Sequence, residues 1–299
     1  MIKKPLPELF PVCGLRLGVT AAGIKIPGRP DLVVMSLAAG SVCAAVFTQN
    51  AFCAAPVIVA REHLARQQPA CLLINTGNAN AGTGEAGIKD AHLCCEAVAE
   101  QHGCTAQAVL PFSTGVIGEP LPVTAILEGI PLALDQLDEA GWAAAASGIL
   151  TTDTVPKGAS KRIEIDGQTV TITGIAKGSG MIRPDMATML AFIATDASLD
   201  PETLQDCLSQ ATDKSFNRIT VVGDYSTNDA CVLVATGSGT SLEPGSPGYT
   251  LFSEALNDIC VLLALAIVRD GEGATRFVTI AVENGLDSDE CLQVAYSIA

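Results

Sequence analysis

Histidine is scarce in this sequence of 299 residues, which contains only His63, His92 and His102. Each lies in a polar helical context without a cysteine or carboxylate at motif spacing, so a histidine-dependent triad and a histidine metal site lack their residues. No Cys-x-x-Cys pair occurs among the 11 cysteines. An odd number of cysteines, mostly in apolar runs, indicates free thiols in a reducing compartment and argues against a disulfide framework or a zinc site.

Basic residues and long apolar runs are also few. The sequence has 17 Lys and Arg residues but 32 Asp and Glu residues, which gives a net charge of −15 and a pI near 4.5. Such a surface repels phosphate and anionic lipid, which argues against nucleic-acid and membrane-surface partners. The longest apolar run, residues 259–268, is about half a membrane span. Residues 1–10 carry prolines and charges where a signal peptide needs an apolar stretch, so we predict a cytoplasmic protein.

The patterning predicts a layered α/β fold. Hydrophobic residues make up 48% of the chain and charged residues 16%, which argues against disorder. Apolar runs at 33–39 and 71–74 alternate with helical patterns. The dipeptide Asp166-Gly167 between two alternating segments predicts a β-hairpin, and Asp200-Pro201 predicts the start of a helix. Further along, the patterns predict these elements: a helix over 257–268, a strand over 278–282 and a helix from Asp287 without a stop signal.

One segment, residues 177–190, stands out as a candidate for chemistry. Two glycines and Pro184 predict a tight loop, and an apolar run typical of a buried strand begins at Thr188. From these residues alone, Thr188 is best explained as a β-branched residue that opens a strand. The glycine pairs at 178/180 and 237/239 form no dinucleotide fingerprint, and no Walker loop is present.

A resemblance to a known family changes that interpretation. Eight segments match in order through nearly the whole chain: residues 47–50, 54–57, 75–80 with 83–84, 113–119, 151–154, 177–190, 226–229 and 270–275. Any one of them is weak evidence, but together they closely resemble the ornithine acetyltransferase (glutamate N-acetyltransferase) family. The resemblance implies a layered α/β sandwich of the N-terminal-nucleophile-like type.

The resemblance also implies a reaction. In this family the threonine after Met-Ala attacks the preceding carbonyl, and an N-to-O acyl shift cleaves the chain. Here that bond is Ala187–Thr188, and the products are fragments 1–187 and 188–299. The new α-amine has an unperturbed pKa of roughly 7.7–8.0, so it can act as the general base near neutral pH. Acetyl then passes from N2-acetyl-L-ornithine to Thr188 and on to L-glutamate, in a ping-pong cycle of arginine biosynthesis.

The resemblance assigns the remaining site residues. Thr114 and Gly115 stabilise the oxyanion, and Thr151, Lys177, Thr188 and Glu272 bind substrate. Lys177 suits a carboxylate and Glu272 suits an ammonium group. The resemblance implies no metal or cofactor. It leaves undecided whether acetyl-CoA is a second acetyl donor. The expected partner is the chain's own cleaved fragment, in an α/β heterodimer or a higher oligomer.

Two alternatives remain open at this point. One is an N-terminal-nucleophile amidase or aminopeptidase, which passes its acyl group to water. The other is a short, non-catalytic family member that acts by binding. Family members usually continue past the helix near Asp287 into a region that also binds substrate. We therefore expect these 299 residues to be an incomplete member that turns over substrate poorly.

Overall fold

The computed structural model describes residues 5–180, 189–221 and 226–299, so Ala187 and Thr188 lie outside the described residues. Nine strands are assigned within these ranges: β1 (Leu15–Thr20), β2 (Leu32–Leu37), β3 (Val42–Phe47), β4 (Cys71–Asn78), β5 (Val109–Val116), β6 (Lys157–Ile165), β7 (Gln168–Lys177), β8 (Leu190–Thr195) and β9 (Ala230–Ala235). Seven α-helices are assigned in the same ranges: α1 (Ala55–Arg66), α2 (Gly84–His102), α3 (Val123–Leu134), α4 (Trp142–Gly148), α5 (Pro201–Asp213), α6 (Pro247–Arg269) and α7 (Ser288–Ile298).

The strands form two sheets that pack face to face. One sheet has four strands in the order β1-β2-β4-β5, and the other has five in the order β3-β9-β8-β7-β6. A shared core of side chains from both sheets, including Leu72, Phe112 and Phe192, fills the space between them. Helices α2 and α3 cover the outer face of the first sheet, and α5 and α6 cover that of the second. The result is the predicted layered α/β sandwich.

The central strands have continuous apolar sequences because both of their faces are covered. All six residues of β2, of β8 and of β9 are buried. Two of the neighbouring pairs are parallel, β4 with β5 and β8 with β9. Strands buried on both faces favour such runs over alternation. The apolar runs at 33–39 and 71–74 fall largely in β2 and β4, and the strand predicted after Thr188 is confirmed as β8.

Two local predictions are confirmed in detail. Asp166 and Gly167 have φ values of 52° and 77° and connect β6 to β7, as a two-residue hairpin turn requires. The Asp200 carboxylate accepts hydrogen bonds from the backbone N–H groups of Glu202 and Thr203, and so caps α5. Both signals are local, because the turn and the cap each depend on a few consecutive residues.

Helix α6 is longer than predicted. It begins at Pro247 instead of residue 257, because the Ser246 hydroxyl caps it by accepting from the Tyr249 N–H. Its 23 residues reach a mean hydropathy of 2.0 over 18 residues, so length and composition alone would let it cross a membrane. In the fold, α6 packs a face that includes Phe252, Ile259 and Leu263 against the five-stranded sheet. That packing accounts for its apolar character as a core helix.

The predicted strand at 278–282 is wrong. No strand is assigned there, and Val278 is 71% exposed. Apolar, β-branched residues form a strand only when a neighbouring strand is available for pairing, and no described strand pairs with this segment. The following helix α7 begins as predicted with Asp287 as its cap, and it buries no residue.

The cysteines are free thiols, as predicted. Most of them are buried in the core, where they pack as small apolar residues. Burial raises the pKa of Cys43, Cys94 and Cys260 to about 12. These thiols therefore remain protonated near neutral pH and contribute packing rather than nucleophiles.

Candidate active site

A cavity of about 520 Å³ opens where strands of both sheets end. Five of the predicted site residues line it together: Thr114, Gly115, Thr151, Lys177 and Glu272. Thr114 and Gly115 lie at the carboxyl end of β5, beside the end of its parallel neighbour β4. Lys177 is the last residue of β7 in the other sheet. The cavity therefore joins both sheets with the loops that follow α4 and α6.

Glycine is required at position 115 by the close approach of β4. Its φ of 140° disfavours a residue with a side chain. A Cβ there would lie 2.3 Å from the carbonyl carbon of Gly77 and 2.5 Å from the nitrogen of Asn78. The backbone at Thr114 and Gly115 is consequently held against β4 at the cavity wall. A rigid backbone at this place suits a preorganised hydrogen-bond donor.

Lys177 connects the two sheets inside the cavity. Its Nζ donates to the Thr114 hydroxyl at 3.2 Å, and the lysine is only 3% exposed. Burial lowers the pKa of Lys177, while the charges of Asp153 and Asp229 partly oppose this effect. The side chain thus places a hydrogen-bond donor beside the predicted oxyanion residue.

Asp153 organises the wall that carries Thr151. One carboxylate oxygen accepts from Lys157 Nζ and from the Gly178 N–H, both at 2.6 Å. The other accepts from the Thr151 N–H at 3.2 Å. Burial by itself raises the pKa of Asp153, but the nearby charges of Lys177 and Lys157 outweigh it and hold the pKa below its usual value. Asp153 is absent from the predicted site, although it lies within the 151–154 match.

Glu272 is positioned by the loop that follows α6. Lys157 Nζ also donates to Asp270 at 2.8 Å, and Asp270 accepts from the Thr154 N–H at 2.9 Å. Two residues later, the Glu272 N–H donates to the Ser179 carbonyl at 2.5 Å. The Glu272 carboxylate lies against Gly180, since a Cβ at 180 would be 3.0 Å from its Oε2. The loop therefore closes over the residues that follow Lys177.

Asp229 fixes the chain just after the predicted nucleophile. Its carboxylate accepts from the Met189 N–H at 2.7 Å, and the residue is buried. Met189 directly follows Thr188 in the chain. Asp229 lies in the matched segment 226–229 but is absent from the predicted site residues, since only the folded chain brings it to the start of β8.

The ion cluster of Lys157 with Asp153 and Asp270 predicts a dependence of stability on pH. The pKa of Asp270 is also low: its burial raises the pKa, but hydrogen bonds from Lys157 and Thr154 outweigh that effect. A carboxyl group whose folded pKa is depressed stabilises the fold fully above its unfolded pKa, and this contribution is lost as the pH falls through the folded pKa. An unfolded Asp has a pKa of about 3.9. We therefore expect the urea concentration at the midpoint of unfolding to decrease as the pH is lowered below about 4.

The control for this expectation is Asp270→Asn. This variant should be less stable at pH 7 and should lose less stability than the wild type between pH 5 and pH 3. If the free energy of unfolding decreased equally for the two proteins between pH 5 and pH 3, Asp270 would contribute nothing to acid unfolding.

No group of three or more His, Cys, Asp or Glu side chains suited to a metal ion occurs in the part of the chain that the structure describes. The cavity instead brings together hydroxyl groups, the cations of Lys25, Arg29 and Lys177, the carboxylates of Asp31 and Glu272, and backbone amides. These groups can bind a zwitterionic amino acid and stabilise an oxyanion.

The sandwich and its cavity define a protein of the N-terminal-nucleophile-like fold. The fold alone resembles the L-aminopeptidase D-Ala-esterase/amidase of Ochrobactrum anthropi, described as a variant of the Ntn hydrolase fold. That likeness has a TM-score of 0.50 at 13% identity and covers 89% of this chain and 88% of that one.

The chain belongs to the ArgJ family, whose family model matches residues 16–299. It is 56% identical to the arginine biosynthesis bifunctional protein ArgJ of Pseudomonas syringae pv. tomato, over 99% of this chain and 73% of that protein. A protein of the same name from Methylococcus capsulatus is also 56% identical, over 98% of this chain and 72% of that protein. The chain is therefore an acetyltransferase of arginine biosynthesis.

Solved structures support the same assignment. The ArgJ protein of Bacillus halodurans matches with a TM-score of 0.51 and 35% identity, over 59% of this chain and 92% of that chain. The ornithine acetyltransferase of Mycobacterium tuberculosis, solved with ornithine, matches with a TM-score of 0.51 and 32% identity. The match covers 58% of this chain and 92% of that chain. These comparisons do not favour the amidase or aminopeptidase alternative.

Proposed function

We propose that the chain transfers acetyl from N2-acetyl-L-ornithine to L-glutamate through an acetyl ester of Thr188, which is freed by scission of the Ala187–Thr188 bond. The observation that carries the proposal is the convergence of Thr114, Gly115, Thr151, Lys177 and Glu272 on one cavity. Gly180, the last described residue before the proposed scission site, lines the same cavity.

Activation proceeds by an acyl shift. The Thr188 hydroxyl oxygen attacks the Ala187 carbonyl carbon, the C–N bond breaks, and the proton of the hydroxyl passes to the departing nitrogen. Water then hydrolyses the resulting ester, which leaves a carboxylate on Ala187 and a free α-amine on Thr188. The hydroxyl and its general base thus belong to one residue, so no histidine is needed.

Acetyl transfer repeats this chemistry on a bound substrate. Thr188 Oγ attacks the acetyl carbonyl, its proton passes to the α-amine, and the ornithine nitrogen leaves with a proton. The amine of glutamate then attacks the acetyl ester and regenerates the hydroxyl. Each step forms a tetrahedral oxyanion, for which the Thr114 hydroxyl and the Gly115 N–H are the proposed donors. Lys177 is proposed to bind the substrate carboxylate and Glu272 an ammonium group, and Thr151 is proposed to contact the substrate as well.

The proposal extends to assembly and location. Fragments 1–187 and 188–299 remain together as a heterodimer, because strands of both fragments pair within the five-stranded sheet. We place this heterodimer, or a higher oligomer of it, in the cytoplasm, in keeping with the many free thiols.

The direct test is an assay of acetyl transfer from N2-acetylornithine to glutamate, with acetate release measured in parallel and acetyl-CoA tried as an alternative donor. N-acetylglutamate should form at a rate well above that of acetate. Acetate without N-acetylglutamate would contradict the proposal in favour of a hydrolase, and the absence of both products would indicate a non-catalytic protein.

Substitution of Thr114 tests the oxyanion site. Loss of one oxyanion donor costs roughly 10²–10³ in kcat, so we expect Thr114→Ala to slow acetyl transfer on that scale. The matched control is Thr105→Ala, whose hydroxyl donates to Gln67 at the surface. Steady-state kinetics and circular dichroism of both variants give the comparison. Wild-type kcat in Thr114→Ala would remove Thr114 from the mechanism.

A further inference from the structure

The charges that line the cavity are unevenly compensated. Three cations face it, Lys25, Arg29 and Lys177, together with the anions Asp31 and Glu272. Both oxygens of Asp31 accept backbone hydrogen bonds, from the Ala22 and Ile24 N–H groups at 2.6 and 2.7 Å. This carboxylate therefore serves to hold the 22–31 loop in place.

Two of the cations already have partners. Lys25 forms an ion pair with Glu119 at 2.9 Å, and Lys177 lies in the field of Asp153 and Asp229. Arg29, in contrast, forms no ion pair with any carboxylate in residues 5–180, 189–221 or 226–299. Arg29 and Lys177 are thus the two cations of the described cavity wall without an ion pair, but Lys177 already donates to the Thr114 hydroxyl and lies close enough to Asp153 and Asp229 to feel their charge.

The Arg29 guanidinium is nevertheless held firmly. Its Nη2 donates to the carbonyls of Leu150 and Thr151, at 2.9 and 3.0 Å. A guanidinium has five N–H donors, so three remain after these two bonds. A fixed guanidinium loses little conformational entropy when it binds a carboxylate, which favours it over a mobile lysine. The bond to Thr151 also places Arg29 beside a proposed substrate-binding residue.

A short chain of contacts connects Arg29 to Glu272. The Thr152 hydroxyl, next to Thr151, shares a hydrogen bond of 2.8 Å with the Ser179 hydroxyl, and the Ser179 carbonyl accepts from the Glu272 N–H. Arg29 and Glu272 therefore lie on adjoining walls of the cavity. They form no ion pair with each other in the described contacts, although both line the same cavity.

The proposed reaction requires opposite charges at one place. Both substrates carry an α-carboxylate and an α-nitrogen, but the side chain of ornithine ends in an ammonium group and that of glutamate in a carboxylate. Glu272 suits the ammonium group and repels the carboxylate. A single cavity that accepts both substrates in turn therefore needs a cation near Glu272.

We infer that Arg29 binds the side-chain carboxylate of the acceptor amino acid, and so alternates with Glu272 as the cavity exchanges ornithine for glutamate. This inference rests on the proposed function. It makes Arg29 a residue that determines specificity in the second half-reaction only.

Isotope exchange separates the two half-reactions. Exchange of labelled ornithine into N2-acetylornithine requires no glutamate, and exchange of labelled glutamate into N-acetylglutamate requires no ornithine. Loss of one charge-assisted hydrogen bond corresponds to a factor on the order of 10 to 100. We expect Arg29→Gln to raise the KM for glutamate by that factor and to change ornithine exchange less than about 3-fold.

A further readout distinguishes charge recognition from simple positioning of Thr151. The preference for glutamate over glutamine as acceptor should fall in Arg29→Gln and be largely retained in Arg29→Lys, which keeps the charge. The matched control is Arg66→Gln, because Arg66 pairs with Glu62 on the surface of α1. Self-cleavage of each variant reports that it has folded.

Several outcomes would overturn the inference. Equal loss in both exchange reactions, with the glutamate preference intact, would mean that Arg29 only positions Thr151. A selective loss in Lys25→Met, with Arg29→Gln unaffected, would assign the carboxylate to Lys25 instead. If the wild type exchanges both labels and Arg29→Gln does the same, this inference alone fails. If the wild type exchanges neither label, the proposed function fails and this inference with it.

Discussion

Thr188→Ala should remain a single chain of 30.7 kDa and transfer no acetyl group, while the wild type separates into two fragments on a denaturing gel. The substitution removes the hydroxyl that both the scission and the acetyl ester require. The second wild-type fragment should begin with Thr188 on N-terminal sequencing. Residual activity at the level of the wild type is incompatible with an acetyl-Thr188 intermediate.

The matched variant is Thr188→Ser, which keeps a hydroxyl on the same carbon. We expect it to cleave and to retain measurable transfer. If Thr188→Ala is cleaved at the same bond, the nucleophile for scission lies elsewhere. If Thr188→Ser and Thr188→Ala both stay intact and inactive, the methyl group of threonine is needed as well as the hydroxyl.

Lys157→Met should destabilise the protein by about 3–5 kcal/mol, the usual cost of breaking a buried ion pair by removing one partner. The Lys157 side chain is 1% exposed, and its partners Asp153 and Asp270 are 0% and 2% exposed. Without the ammonium group, the buried carboxylates of Asp153 and Asp270 lose the one cation that contacts both of them among the described ion pairs. Urea unfolding in the Thr188→Ala background measures the effect, because a single chain keeps unfolding unimolecular.

The comparison variant is Lys161→Met, four residues along the same strand. Lys161 pairs with Asp258 at 2.6 Å, with side chains 42% and 58% exposed. An exposed pair of this kind contributes about 1 kcal/mol or less. Equal destabilisation by the two substitutions would show that burial of the Lys157 cluster adds nothing to its strength.

Two of the confirmed predictions, the hairpin turn at 166–167 and the helix cap at residue 200, depend on only a few consecutive residues. The residues Asp166-Gly167 are sufficient to specify the turn, and Asp200-Pro201 are sufficient to specify the start of α5. The strand at 278–282 fails because pairing depends on a distant neighbour, which the residues of the segment do not encode. The start of α6 was missed although Ser246-Pro247, a cap followed by proline, marks it.

The candidate site residues follow from the resemblance and not from their spacing in the sequence. Lys177 contacts Thr114 across 63 positions of sequence, and each belongs to a different sheet. Arg29 reaches carbonyls 121 and 122 positions away. Such contacts arise from the way the two sheets stack. Asp153 and Asp229 lie within matched segments, yet only the fold indicates what they hold.

The strand order of the five-stranded sheet has a consequence for the proposed scission. Strands β9 and β8 belong to fragment 188–299, and they lie between β3 and β7 of fragment 1–187. The second fragment is therefore hydrogen-bonded on both sides by the first, and the native state does not depend on the peptide bond that is lost. The denatured state does depend on it. Before scission, refolding is a first-order process of one chain, whereas afterwards two polypeptides must meet in solution and the process becomes second-order. The proposed scission therefore makes recovery from unfolding depend on protein concentration, and it requires each molecule to fold before it matures.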